Sequence, residues 1–87
     1  MTELEQTIID LAQQELAAVL AFYRNKSNGI PPEGLDAAWQ GYLGHFHGMN
    51  ALIAIAHQAN SGLSEDGRKA LLTVETDHLT AYRALAN

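Results

Sequence analysis

Ser27-Asn28-Gly29-Ile30-Pro31-Pro32 divides the chain. Asn-Gly is a helix-stop signal, and the two prolines stand where a helix cannot continue. A second break, Asn60-Ser61-Gly62, lies further on. The three stretches around these breaks have helical periodicity and no strand-like alternation. The spacing predicts helices over 3–26, 33–59 and 65–86. With short loops they imply an all-α, three-helix, up-down-up bundle. No internal repeat or second domain is visible, so residues 1–87 read as one domain.

The first helix opens on Thr2 and Glu5, the spacing of a capping box. Its apolar face reads as Leu4, Ile8, Leu11, Ala12, Leu16, Val19, Phe22 and Tyr23. Pro32 suits the first turn of the second helix. Ser64 suits the N-cap of the third, whose apolar face holds Leu71, Leu72, Val74, Leu79, Tyr82 and Leu85.

The second helix has two apolar surfaces. One is bulky: Trp39, Tyr42, Phe46, Met49 and Ile53, with Leu35. The other is small: Ala37, Gly41, Gly44, Gly48 and Ala51. The +4, +3 spacing places the small residues on one ridge. Each interior glycine costs about 0.5–1 kcal/mol relative to alanine, which close approach of another helix can offset. One surface of this helix can face the bundle. The other stays wet in a monomer, and a large wet apolar face marks an interface. The expectation is a homodimer or higher homo-oligomer formed through the second helix. The expected interface residues are Trp39, Tyr42, Phe46, Met49 and Ile53, with Gly41, Gly44 and Gly48 allowing close approach.

Composition bounds the function. Hydrophobic residues make up 47% of the 87-residue chain, enough for a core. Without cysteine there is no disulfide framework or thiolate metal site, which fits a cytoplasmic protein. No basic leader is visible, and the longest apolar run, Ala51–Ala56, is too short to span a membrane. A net charge of −5 with scattered acidic residues argues for solubility and against a nucleic-acid binder.

Four ionisable residues fall on or beside apolar faces near mid-helix: Glu15, His45, Glu75 and His78. Buried charges need partners or a metal. Glu75 and His78 have the Glu-x-x-His spacing on one helical face. Two copies of Glu15, Glu75 and His78 would supply a set that resembles, in composition, the ligands of ferritin-like di-iron bundles. That resemblance implies iron and a metal-dependent oxidase. A zinc site using His45, His78 and a carboxylate is the related alternative. The plain reading, and the preferred one, is a polar network that fixes helix register. Tyr23-Arg24-Asn25-Lys26 is the one basic-aromatic cluster, and its Tyr23 and Lys26 suggest, more weakly, a nucleotide site. The remaining histidines, His47 and His57, read as solvated and as bordering the bulky face.

The leading expectation is a small acidic non-enzymatic interaction module without a cofactor. It self-associates and regulates or inhibits a protein partner, in the manner of phage or mobile-element accessory proteins. The alternatives are the metal-binding bundle and the nucleotide binder.

Overall fold

The computed structural model describes residues 2–28 and 34–86, without the side chains of residues 26–28, 35 and 86. Helix α1 spans Glu3–Asn28, α2 spans Leu35–Ala56 and α3 spans Glu65–Ala86. Each helix packs against the other two, and the described residues contain no strand. Pro32 and Glu33, the expected first residue of the second helix, lie outside the described residues; Gly34 is the N-cap, so α2 starts two residues later than expected. No helix among the described residues is long and apolar enough to cross a membrane.

The buried positions follow a seven-residue pattern. On α1 they are Glu5, Ile9, Ala12, Leu16, Val19 and Tyr23; on α2, Met49, Ile53 and Ala56; on α3, Gly67, Leu71, Val74 and His78. Alternating steps of four and three keep one narrow seam per helix facing its neighbours. The seam of α1 is rotated from the face expected on sequence. Ile9 is core, while Leu4 and Leu11 are exposed. They fall off the 5-9-12-16-19-23 register, so a wider apolar stripe had blurred the true centre.

Both predicted N-caps form. The Glu5 N–H donates to the Thr2 hydroxyl at 3.1 Å, and the Gly67 N–H donates to the Ser64 hydroxyl at 3.1 Å. The capping box does not close on itself. The Glu5 carboxylate instead accepts from the Ser64 hydroxyl at 2.6 Å and from the Ser64 N–H at 3.2 Å. A carboxylate at a helix N-terminus meets unpaired N–H groups and the positive end of the dipole. Glu5 therefore ties the start of α1 to the start of α3. Gly67 makes the room, since a Cβ there would collide with the Glu5 carboxylate.

Helix α2 ends at Ala56, three residues short of the expected end. Arg68 of α3 donates to the carbonyl of Ala56, and more loosely to the Gln58 carbonyl and Ser61 hydroxyl at 3.5 Å each. This cation satisfies orphan carbonyls at the negative end of α2. The chain then turns through Gly62, whose φ of 81° lies in the left-handed region that glycine tolerates.

Candidate functional site

The bulky side of α2 faces inward. Met49 is 0% exposed and Ile53 4%, both packed in the core with residues of α1 and α3. The expectation that these two meet a second copy is therefore corrected: they fill the chain's own core. Tyr42 and Phe46 are half-buried, and Trp39 stays 45% exposed. The small ridge faces outward. Ala37, Gly41, Gly44 and Ala51 are exposed, and a Cβ on Gly41 or Gly44 would meet nothing within 4 Å. Among the described residues neither α1 nor α3 uses the close approach those glycines permit. Gly48 differs: a Cβ there would lie 3.0 Å from the Glu15 carboxylate.

The four candidate ligands do not form the expected layer. Glu15 takes a hydrogen bond from His45 Nδ1 at 2.9 Å. Glu75 turns away from His78 and is bonded by His57 Nε2 at 3.1 and 3.2 Å. Both pairs are solvent-facing, on opposite sides of the core registers. The cause is one residue of offset. Glu15 lies beside Leu16 and Glu75 beside Val74, so each carboxylate leaves the seam for its flank. No three His, Asp or Glu side chains among the described residues converge as a metal-ligating group.

His78 does lie on the seam of α3, and it is 8% exposed. Its Nε2 is 2.8 Å from the Tyr23 hydroxyl, which is 3.1 Å from the Tyr42 hydroxyl. Three helices thus contribute one polar group each to a short chain of hydrogen bonds. The donor order along it follows the imidazole tautomer. Burial holds the His78 pKa below its ordinary value. Burial likewise pushes the Tyr23 phenol up, aided by the hydrogen bond with Tyr42. The two shifts favour the neutral imidazole of His78 and the neutral phenol of Tyr23.

Around it opens a groove of about 430 Å³, lined by Phe22, Tyr23, Trp39, Tyr42, Phe46, His78, Leu79, Tyr82 and Leu85. The two Phe, three Tyr and single Trp of the sequence all stand there. Tyr42 is the centre of the cluster. It stacks on Phe22 with ring centroids 4.4 Å apart and on Phe46 at 5.6 Å, and Trp39 lies tilted against it at 5.2 Å. Trp39 and Tyr82, the latter 56% exposed, stand at the wet rim with Leu79 and Leu85.

Of the residues singled out on sequence, Trp39, Tyr42, Phe46, Tyr23 and His78 come together here. Lys26, the expected partner of Tyr23, has its side chain outside the described residues. Sequence reasoning missed the gathering, because Phe22 and Tyr82 read as ordinary members of apolar faces. It also gave Arg68 no role. A scan against protein-family models, a search of curated proteins and a search of solved structures each returned no match.

Proposed function

We propose that this chain is a non-enzymatic cytoplasmic interaction module that pairs with a second copy across the outer face of α2 and regulates or blocks a protein partner. The observation that carries the reading is the character of that outer face. In its 22 residues α2 has no Lys, Arg or Glu and one Asp, Asp36, yet the side bearing Ala37, Gly41, Gly44 and Ala51 is open to solvent. Depletion of charge marks the core of an interface. Two glycines with open space above them weaken the helix without serving any contact among the described residues. A second helix seated on them would use the gap at the short end of the usual 8–10 Å interaxial range. The contacts favour an up-down-up order, which leaves this face outward. Glu5 meets Ser64 at the start of α3, and Tyr23 meets both Tyr42 early in α2 and His78 late in α3. The net charge of −5 suits a partner with a basic surface.

Native mass spectrometry of protein purified without a metal-affinity tag tests the pairing. The expected result is a dimer, and Gly44→Leu is expected to return it to monomer. The leucine enters open space on the single chain and improves helix propensity by about 0.5–1 kcal/mol, so circular dichroism should report an intact fold. A wild-type monomer at all concentrations, or a Gly44→Leu dimer, removes this reading.

A further inference from the structure

The aromatic groove lies on the side of α2 opposite the glycine face, so its role is independent of self-association. We infer that it is a binding site for a small, uncharged aromatic molecule bearing a hydroxyl group, of the phenol class.

Size, charge and hydrogen bonding each narrow the ligand. A volume of about 430 Å³ lies within the range of small-molecule sites, which span roughly 300–1,000 Å³. Apolar walls with a few convergent polar groups are the usual make-up of such sites. Among the described residues no Lys, Arg, Asp or Glu lines the groove, and buried His78 resists taking a proton. An ionised ligand would lose its hydration there and gain no counter-charge from the described lining residues. The walls are ring faces and edges, which favour offset or edge-on packing with another flat ring.

The polar chain specifies the remaining group. Tyr23 and His78 are buried, while Tyr42 is half-buried and forms the outer end. A tyrosine hydroxyl has one proton to give and two lone pairs. If Tyr42 donates inward to Tyr23, it offers an acceptor to the groove. If it accepts from Tyr23, it offers its own proton. A ligand hydroxyl is both donor and acceptor, so it satisfies either order. A carbonyl or an ether satisfies only one. Trp39 and Tyr82 at the rim lose exposed apolar surface when the groove fills, which adds the hydrophobic term.

The probe is p-cresol, followed by the indole N–H resonance of Trp39 and by titration calorimetry on the folded chain. Trp39 is the only tryptophan, so its signal reports the groove alone. The comparison probes are toluene, with the same ring and no hydroxyl, p-toluate, and benzyltrimethylammonium. Saturable p-cresol binding is expected, with toluene weaker by roughly tenfold, as for loss of one hydrogen bond. The p-toluate anion should give no shift. Tyr42→Phe keeps the ring and removes the hydroxyl, so it should bring p-cresol down to the affinity of toluene. Leu79→Arg places a cation at an exposed rim position and should weaken p-cresol while leaving the helical signal intact. The Gly44→Leu variant should bind p-cresol as the wild type does, which separates this site from dimerisation. No shift with p-cresol up to millimolar concentration overturns the site. Equal binding of toluene and p-cresol, unchanged in Tyr42→Phe, overturns the hydroxyl assignment. Preference for benzyltrimethylammonium makes the groove a cation cage and overturns the neutral one. Binding that vanishes in Gly44→Leu makes the groove a product of dimerisation.

Discussion

Met49→Ala lowers the stability of the fold by about 2–5 kcal/mol, the usual range for truncating a fully buried Met, Leu or Ile. Met49 is 0% exposed and sits in the one core cluster with residues of all three helices. The loss has two parts: the transfer of the removed atoms to the interior and the cavity that the rigid neighbours leave unfilled. A domain of this length has a total margin on the order of 5–10 kcal/mol, so one truncation consumes a large share of it. Met49→Leu conserves volume and should cost less than about 1.5 kcal/mol. Urea unfolding measures both, and an unchanged denaturant slope shows that the loss is in the native state. The outcome bears on function because Met49 fixes the rotation of α2. If alanine is tolerated with a loss under about 1 kcal/mol, well below the buried range, the bulky side of α2 is not the inner one. The glycine face then cannot be the outer one, and the proposed dimer loses its surface.

The number of helices was legible because it rests on local chemistry. Gly, Pro and Asn punctuate the chain, and Thr2 and Ser64 sit where N-caps are wanted. Bonds between residues three apart form whatever the tertiary arrangement, and both caps are present at 3.1 Å. Rotation of each helix was less legible. An apolar stripe on α1 that includes Leu4 and Leu11 is broad enough to hide its centre. The buried seam becomes visible only when Glu5 is counted with Ile9, Ala12, Leu16, Val19 and Tyr23 as one register. A carboxylate at such a position looks like a break in the pattern. In space it is the acceptor that Ser64 requires.

The same rotation error misassigned the histidines. Glu75 and His78 share a helical face, and the shared face suggested a shared site. One residue of offset from the seam was enough to send Glu75 to His57 and leave His78 among rings. The aromatic groove was illegible for another reason. Phe22, Tyr42 and Tyr82 come from three helices, and their meeting depends on the axial register between helices. Register is set by packing, and no spacing within one helix encodes it.

Acid is expected to lower the stability of the protein in two steps. The first belongs to His78. The unfolded chain takes up a proton at the ordinary histidine value near 6.5, and the folded chain only at lower pH because the ring is desolvated. Between those values the unfolded state holds more protons, so stability falls as pH falls below about 6.5 and levels off below the folded pKa. The second step belongs to Glu5. The Ser64 hydroxyl, and then the Ser64 N–H, lower its pKa from the ordinary 4.5 against an opposing desolvation. Its stabilisation is full above that ordinary value and is lost as pH falls through the folded one. Two variants separate the steps. His78→Phe keeps a ring in the cluster and should flatten the limb near pH 6.5 while leaving the carboxylate limb in place. Ser64→Ala removes both the N-cap of α3 and the principal partner of Glu5. It should cost about 0.5–2 kcal/mol at neutral pH, and should flatten the lower limb alone. Stability against pH, followed by urea midpoints, reads both. If His78→Phe keeps the wild-type slope near neutrality, desolvation of His78 is not the source of that limb. The buried imidazole at the inner end of the groove would then titrate as freely as a surface one, and the groove would have no neutral floor to offer a neutral ligand.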